Sequence, residues 1–247
     1  MHIAILTFDG FNELDSLIAL GILNRVRQPG WRVSLASPSE TVTSMNGVRL
    51  HRQAALDEIE SFDAVLVGSG IKTREIAEDA SVMQILARLD AERQLIGAQC
   101  SGTLILAKLG LLNGVPGCTD LTTRPWVQEA GIEVLEQPFF ARGNLATAGG
   151  CLASIYLAAW TLARLAGRDA AAEALHYVAP VGEKADYFER ALNNIQPYLP
   201  SAERPAAWPS QRLRGMVRAD LATDRKPRHE NRQPPFPHAP RPAAHGA

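Results

Sequence analysis

The amino-acid sequence comprises 247 residues, of which 46% are hydrophobic, and its formal net charge is −1. A chain of this size and composition can bury a full-sized core, and its near-neutral charge gives no electrostatic case for a specific nucleic-acid partner. Its three cysteines, Cys100, Cys118 and Cys151, form no Cys-x-x-Cys pair, which argues against a disulfide framework and against a structural zinc site.

The N-terminus and the apolar segments favour a cytoplasmic protein. The chain opens on a strand-like run with no basic segment ahead of it, so no signal peptide is expected. The longest apolar stretch, residues 152–165, is interrupted by polar residues and is too short to span a bilayer, so no membrane contact is expected. Because unpaired cysteines also fit a reducing compartment, we expect a soluble protein of the cytoplasm.

Strand-like and helix-like segments alternate along the first hundred residues. Short runs rich in Val, Ile and Leu are typical of buried parallel strands, and amphipathic stretches are typical of helices. The predicted strands are Ile3–Phe8, Arg32–Ala36, Ala64–Gly68 and Gln94–Ala98. The predicted helices are Leu14–Arg27, Thr73–Glu78 and Ser81–Glu92. Asp79 is placed to cap the last of these helices. The alternation predicts a flavodoxin-like α/β/α sandwich with a mostly parallel sheet.

Two hairpin-like segments interrupt this alternation. Residues Thr41–Arg52 alternate around an Asn-Gly pair, which predicts an antiparallel insertion after the second parallel strand. A second strand region is predicted at Glu133–Phe140 and Leu145–Thr147. A helix is expected to follow it from about Leu152 to Ala166.

The C-terminal segment, residues 200–247, differs in composition from the rest of the chain. It holds nine of the sixteen prolines, and its nine Lys/Arg against four Asp/Glu give it a net charge of +5, whereas residues 1–199 carry a net charge of −6. With few bulky apolar residues it has little surface to bury on folding. We therefore predict one domain over residues 1–199 and a disordered basic tail over 200–247, without a specific partner or in weak contact with acidic partners.

The segment Leu95–Lys108 carries the motif most informative about function. A buried strand runs directly into a helix through Cys100, and the glycines at 97 and 102 leave room for a sharp turn. Such a nucleophile elbow projects one side chain over the carboxyl end of the sheet, where ligands bind in open α/β folds. A helix N-terminus favours the thiolate, so we predict a reactive Cys100; the alternative is a buried cysteine that only packs.

A second feature lies at the end of the preceding strand. The run Gly-Ser-Gly at 68–70 lets us predict that the backbone amides of Gly70 and Ile71, together with Ser101, form an oxyanion hole beside Cys100. The alternative is a tight turn without a ligand. Cys151 follows two glycines at a helix start and is expected mainly to pack, and nothing in the sequence requires a role for Cys118.

These motifs resemble those of the DJ-1/PfpI superfamily, whose fold is class I glutamine amidotransferase-like. The resemblance rests on Gly-Ala-Gln-Cys-Ser-Gly at 97–102, Gly-Leu-Leu-Asn-Gly at 110–114 and Thr-Ala-Gly-Gly at 147–150, and it covers about residues 1–180. The sequence looks most similar to the branch that contains isocyanide hydratases and the amidotransferase-like domains of some transcription regulators. The resemblance implies a homodimer.

The resemblance also implies an acidic partner for Cys100. Family members place a carboxylic acid after the first strand, and Asp15 matches that position best, with Glu13 in reserve. A carboxyl held beside a thiolate should be protonated, because two adjacent anions are unfavourable in a partly buried site. We therefore expect Asp15 to donate a hydrogen bond to the sulfur and to shuttle a proton.

One departure from the family pattern weakens the peptidase and amidotransferase interpretations. Many relatives place a histidine after the elbow helix, where this sequence has Asp120, a possible pocket residue together with Glu13. Among the other histidines, only His176 is positioned to reach a cleft. Without histidine, an ordinary Cys–His pair loses its general base, and a second acid would raise the pKa of the thiol.

The sequence therefore favours a cysteine-dependent hydratase or hydrolase that acts on a small electrophilic substrate. Cys100 would attack the substrate and Asp15 would transfer protons, with no metal or organic cofactor implied. One alternative is a non-catalytic redox-sensing or ligand-binding protein in which Cys100 is oxidised. Another is an amidotransferase-like regulatory domain, which ranks last because residues 200–247 show no helix-turn-helix pattern.

Overall fold

The computed structural model describes residues 1–200, in which helices cover both faces of a seven-stranded sheet. The strands are β1 (His2–Leu6), β2 (Arg32–Ser37), β3 (Thr41–Thr43), β4 (Arg49–His51), β5 (Ala54–Ala55), β6 (Ala64–Val67), β7 (Leu95–Gln99), β8 (Phe139–Arg142) and β9 (Leu145–Ala148). The α-helices are α1 (Glu13–Leu23), α2 (Thr73–Glu78), α3 (Ala80–Leu86), α4 (Thr103–Lys108), α5 (Arg124–Glu129), α6 (Ser154–Leu165), α7 (Arg168–Val178) and α8 (Lys184–Ile195). The tail predicted from residue 200 onward lies, apart from Pro200, outside the described residues.

The sheet has the strand order β5-β2-β1-β6-β7-β9-β8 and is parallel except for the β8–β9 pair. The strand order reverses direction between β1 and β6, so the loops after these strands diverge and leave a crevice at their carboxyl ends. The side chains of β6 and β7 are buried along their whole length, as expected for central strands covered on both faces. The flavodoxin-like α/β/α prediction is confirmed.

The four predicted parallel strands agree with the observed ones to within two residues, whereas two helices end earlier than predicted. Helix α1 stops at Leu23 because Asn24 caps it through a side-chain bond to the Leu20 carbonyl (3.0 Å). Helix α3, capped by Asp79 as predicted, ends at Leu86. Gln94 lies directly before β7, and its buried side-chain amide donates to the carbonyls of Ile59 and Phe62, in the segment before β6.

The hairpin predicted at residues 41–52 is confirmed as the antiparallel pair β3–β4, which forms a separate two-stranded sheet. The second predicted strand region is partly wrong. Residues 133–138 lack a strand, apart from a single bridge between Val134 and Gly117, and pairing begins only at Phe139. Helices α5, α7 and α8 were not predicted. In residues 1–200, no helix has the length and apolar character needed to cross a membrane.

Candidate active site

Cys100 occupies a sharp turn between β7 and a 3₁₀ segment, Cys100–Gly102, that leads into α4. Its φ angle is +50°, and among residues 1–200 it is the one non-glycine residue with a positive φ. Such a backbone conformation is strained for a residue with a Cβ and persists only where the surroundings hold it. A Cβ on Gly102 would lie 2.7 Å from the Val67 carbonyl oxygen, so this glycine lets the turn approach β6 closely.

Three polar side chains surround the Cys100 sulfur. The thiol donates a hydrogen bond to Oδ2 of Asp120 at 3.4 Å. A carboxylate oxygen of Asp15 and the Cys151 sulfur lie within 4.8 Å of it and of each other. The Cys100 side chain is only 7% exposed, so these neighbours, rather than bulk water, determine its chemistry.

Asp120 is oriented by the start of the loop that leads into α5. Its Oδ1 accepts hydrogen bonds from the backbone amides of Thr122 (2.8 Å) and Thr123 (3.0 Å), which leaves Oδ2 directed at the Cys100 thiol. The Thr119 hydroxyl donates to the Cys100 carbonyl at 2.9 Å and ties the same loop to the turn. The structure therefore places a carboxylate beside the thiol, at the position where the family resemblance implies a histidine.

Asp15 is completely buried near the start of α1. Its oxygens accept hydrogen bonds from the hydroxyls of Ser69 and, at 3.3 Å, Ser16. Burial raises the pKa of Asp15 to about 6, and the hydrogen bonds to the carboxylate oppose part of that rise. Asp15 therefore exchanges its proton near neutral pH. In residues 1–200 the expected hydrogen bond from Asp15 to the Cys100 sulfur is not found: the Asp15 oxygens pair with Ser69 and Ser16, and the thiol pairs with Asp120.

The surroundings of Cys100 oppose the expectation that a helix terminus makes it a thiolate. Burial raises the pKa of the Cys100 thiol, and the negative charges of Asp120 and Asp15 and the neighbouring Cys151 raise it further. Helix α4 is only six residues long, so its dipole is too small to oppose these effects. These effects favour the thiol of Cys100 over the thiolate, so a nearby base assists its reaction.

The predicted oxyanion hole has a different structure from the one expected. The Ile71 amide donates to the Gly10 carbonyl at 3.0 Å, and the Gly70 amide donates to the Ser101 hydroxyl at 3.1 Å. Ser101 also exchanges a hydrogen bond with Thr73 at 2.8 Å. Both amides have protein partners, since Gly70 and Ser101 link the loop after β6 to the elbow and Ile71 links that loop to Gly10, after β1. The two amides are therefore not free to bind an oxyanion in this structure.

Glu13, Cys118 and His176 are the remaining residues that the sequence singled out. Glu13 binds the β3–β4 hairpin through the Ser44 hydroxyl and the Asn46 amide groups, and these hydrogen bonds lower its pKa. It is therefore not a second acid for Cys100 in this structure. Cys118 is fully buried, which raises its pKa to about 12, and His176 is buried on α7.

Cys151 is the neighbour of Cys100 that sequence reasoning assigned to packing. It begins a 3₁₀ segment after β9, is half-buried, and lines a cleft of about 460 Å³ with Tyr156, Tyr187 and Arg190. The Asn12 amide group donates to its sulfur at 3.0 Å. Its position at a strand end was visible in the sequence, but the pairing of β9 with β7 was the missing information.

A second cleft of about 410 Å³ lies on the other side of Gly149 and Gly150 and is lined by Asp120, Arg124 and Glu136. Asp15, Cys100 and Cys151 offer one oxygen and two sulfurs, a set of donors that zinc accepts. However, both Asp15 oxygens already accept hydrogen bonds, and metal binding requires deprotonated thiols. The donor set thus fits acid–base chemistry better than a resident metal.

The parallel sheet, the strained cysteine turn and the adjacent carboxyls define a class I glutamine amidotransferase-like α/β protein with a cysteine nucleophile elbow. The model of the DJ-1/PfpI family matches residues 1–164, and the chain belongs to this family. The predicted family membership is therefore confirmed.

Relatives and solved structures agree with this assignment. The chain is 26% identical to a deglycase of Thermococcus kodakarensis over 147 residues, which is 58% of this chain and 87% of the relative. It is also 26% identical to an isonitrile hydratase of Pseudomonas putida over 130 residues, 53% of this chain and 57% of the relative. A variant of a DJ-1 superfamily protein from Salmonella typhimurium superposes with a TM-score of 0.63 at 26% identity, covering 72% of this chain and 97% of the other.

Proposed function

We propose that this protein is a cysteine-dependent hydratase or hydrolase of a small electrophile, with an isonitrile as the first candidate substrate. The observation that carries the proposal is the position of the Cys100 thiol, which donates to Asp120 and lies within 4.8 Å of Asp15. A nucleophile flanked by one proton acceptor and one buried acid can perform addition to a carbon–nitrogen multiple bond. The isonitrile hydratase among the relatives supports the substrate class.

In the first step, the Cys100 sulfur attacks the terminal carbon of the isonitrile while Asp120 takes the thiol proton. This transfer avoids a free thiolate, which burial and the Asp120 carboxylate disfavour. Asp15 donates its proton to the same carbon, giving a thioimidate bound to Cys100. A carboxyl whose pKa is about 6 is suited to this donation because its proton affinity is close to the working pH.

In the second step, water adds to the thioimidate carbon. Asp15, now a carboxylate, takes one proton from the water, and Asp120 returns the thiol proton to the substrate nitrogen. The tetrahedral intermediate then collapses with cleavage of the carbon–sulfur bond, and its hydroxyl proton returns to Cys100. The product is an N-substituted formamide, and all three side chains regain their starting protonation states.

The dimensions of the two clefts next to the site favour a small substrate. The clefts beside Cys151 and Asp120 have volumes of about 460 and 410 Å³, at the lower end of the range for small-molecule sites. Arg190 lines the first cleft and Arg124 the second, so a polar or acidic substituent on the substrate would find a charged partner in either one.

A substrate panel tests the proposal. Purified protein is incubated with aliphatic and aromatic isonitriles, simple amides and 2-oxoaldehydes, and products are followed by NMR. We expect formamide production from at least one isonitrile, and Cys100→Ala should reduce it by on the order of 10³-fold or more. Cys118→Ala is the matched control, since Cys118 is buried outside the Asp15–Cys100–Cys151 cluster. No turnover of any panel member, or equal turnover in Cys100→Ala, would contradict the proposal.

We further infer that the protein is a cytoplasmic homodimer. Leu14 and Leu17 on α1 and Leu152 near the elbow are exposed large apolar residues, and such residues are suited to a subunit interface. Light scattering after size exclusion checks this: we expect twice the 26.8 kDa mass of the chain. A monomer at micromolar concentration would contradict the inference.

A further inference from the structure

Cys100 and Cys151 form a pair of sulfurs inside the candidate site, although the chain positions them on different loops. Cys100 follows β7, Cys151 follows β9, and these strands are parallel neighbours with Gln99 opposite Ala148. The two sulfurs lie within 4.8 Å of each other, and both cysteines are free thiols. Formation of a disulfide, with its S–S distance of ~2.05 Å, requires the two sulfurs to approach by at most about 3 Å.

We propose that Cys100 and Cys151 form a reversible intramolecular disulfide when a hydroperoxide oxidises Cys100, with Cys151 as the resolving thiol. This inference does not depend on the hydratase function.

The chemistry needs one hydroperoxide per disulfide. The Cys100 sulfur attacks the terminal peroxide oxygen, the O–O bond breaks, an alcohol or water leaves with the thiol proton, and Cys100 becomes a sulfenic acid. The Cys151 sulfur then attacks the Cys100 sulfur, the S–S bond forms, and the S–O bond breaks. The departing hydroxide takes the Cys151 proton as water. Two thiols lose two electrons, and the hydroperoxide gains them.

The groups around the two sulfurs suit Cys100 to the first step of this reaction and Cys151 to the second. The Asp120 carboxylate accepts the Cys100 proton at 3.4 Å, so Cys100 has a base for the first step. The Asn12 amide group donates to the Cys151 sulfur at 3.0 Å, which stabilises negative charge on the attacking atom in the second step. Cys118 is fully buried and is not part of this cluster.

The route back to the thiols runs through Cys151. Its side chain is half-buried and lines the cleft of about 460 Å³, whereas Cys100 is only 7% exposed. A low-molecular-weight thiol entering the cleft attacks the Cys151 sulfur and releases Cys100, and a second such thiol releases Cys151 and leaves as an external disulfide. Cys151 thereby prevents the oxidation of Cys100 from proceeding to sulfinic acid, the form that thiols do not reduce.

Peptide mapping of the full chain tests this proposal, because trypsin separates the three cysteines. Cleavage at Arg93, Lys108, Arg142 and Arg164 puts Cys100 in peptide 94–108, Cys118 in 109–142 (Arg124 precedes a proline), and Cys151 in 143–164. The protein is treated with hydrogen peroxide, alkylated in denaturant and digested without reductant. We expect a mass loss of about 2 Da in the intact chain and a cross-linked pair of peptides 94–108 and 143–164, both reversed by dithiothreitol.

The Cys151→Ser variant sharpens the test. Without a resolving thiol, its Cys100 should accumulate a gain of about 32 Da at a dose that gives only the disulfide in the wild type. Cys118→Ser is the matched control and should still form the disulfide. A wild-type protein in which peptide 94–108 gains about 32 Da while Cys151 remains fully alkylated would overturn the proposal. A cross-link that involves Cys118 would overturn it too, and neither outcome depends on whether the variants fold.

Discussion

The two carboxyl groups beside Cys100 are chemically identical, but one is completely buried and the other is half-buried in a loop. Asp15 is completely buried at the start of a helix, and its pKa is raised to about 6. Asp120 is half-buried in a loop, is held by two backbone amides and accepts the thiol proton. In the mechanism proposed above, the two carboxyls share the roles that one imidazole has in a Cys–His pair: Asp15 donates a proton and Asp120 accepts one.

The largest effect is expected when Asp120, one of the two carboxyls compared above, is substituted. Asp120→Asn keeps Oδ1 for the Thr122 and Thr123 amides but removes the proton acceptor. We expect turnover to fall by on the order of 10²–10⁴-fold. At the same time, the pKa of Cys100 should fall because a negative charge beside the thiol is lost.

Asp120→Asn should therefore change turnover and cysteine reactivity in opposite directions. Formamide production should decrease, whereas the alkylation of Cys100 by iodoacetamide at a fixed pH should become faster. Glu13→Gln is the matched control, since Glu13 contacts only the β3–β4 hairpin among its described partners. Slower alkylation of Cys100 in Asp120→Asn would contradict the assignment of Asp120 as the group that holds the thiol proton.

The next effect concerns the pH dependence of turnover through Asp15. If protonated Asp15 supplies the proton to carbon, the rate should be highest below its pKa and should fall as the pH rises through about 6. In Asp15→Asn, turnover should drop by on the order of 10²-fold or more, and the residual rate should lose this limb of the profile. A wild-type rate that rises through the same window would show that Asp15 works as a base in the slow step.

A smaller effect is expected on folding stability, through the same residue. The pKa of Asp15 is raised from 3.8 to about 6 on folding, so the contribution of its protonated form is complete below about pH 4 and is lost as the pH rises through 6. At neutral pH the folded protein must bury an ionised Asp15, and Asp15→Asn removes this free-energy cost. Relative to wild type, the variant should gain at most about 3 kcal/mol in unfolding free energy at neutral or higher pH, and little at about pH 4.

Urea denaturation at the two pH values measures this difference, and Asp57→Asn is the control because Asp57 lies on the surface. A constant difference between Asp15→Asn and wild type across the range would mean that the pKa of Asp15 is the same in the folded and the unfolded protein.

The smallest effect tests the turn that holds Cys100 between the two carboxyls. Gly102→Ala would put a Cβ 2.7 Å from the Val67 carbonyl oxygen and 2.8 Å from that of Gly68. We expect a loss of about 1–3 kcal/mol, because backbone rather than a flexible side chain must move. Gly21→Ala in α1, where nothing lies within 4 Å, should instead be neutral or stabilise by up to ~1 kcal/mol. Equal melting temperatures for the two variants would contradict the close packing of the elbow against β6.

Local sequence patterns predicted much of the fold because the relevant signals are short-range. The apolar runs that became β1, β2, β6 and β7 are continuous in sequence, and parallel strands buried on both faces produce such runs. Residues 133–138 were mistaken for a strand because their partial alternation has no neighbouring strand to pair with beyond one bridge.

By itself, the sequence determined the α/β sandwich and the elbow at Cys100, and the family resemblance implied Asp15 and Asp120 near that cysteine. The sandwich and the elbow depend on strand ends and on motifs that follow them directly. Only the tertiary structure decided that Asp120 takes the thiol hydrogen bond, that Gly10 and Ser101 occupy the Ile71 and Gly70 amides, and that Cys151 joins the site. Each of these contacts connects loops far apart in sequence, and their distances depend on how the strands pair and pack, which no local pattern encodes.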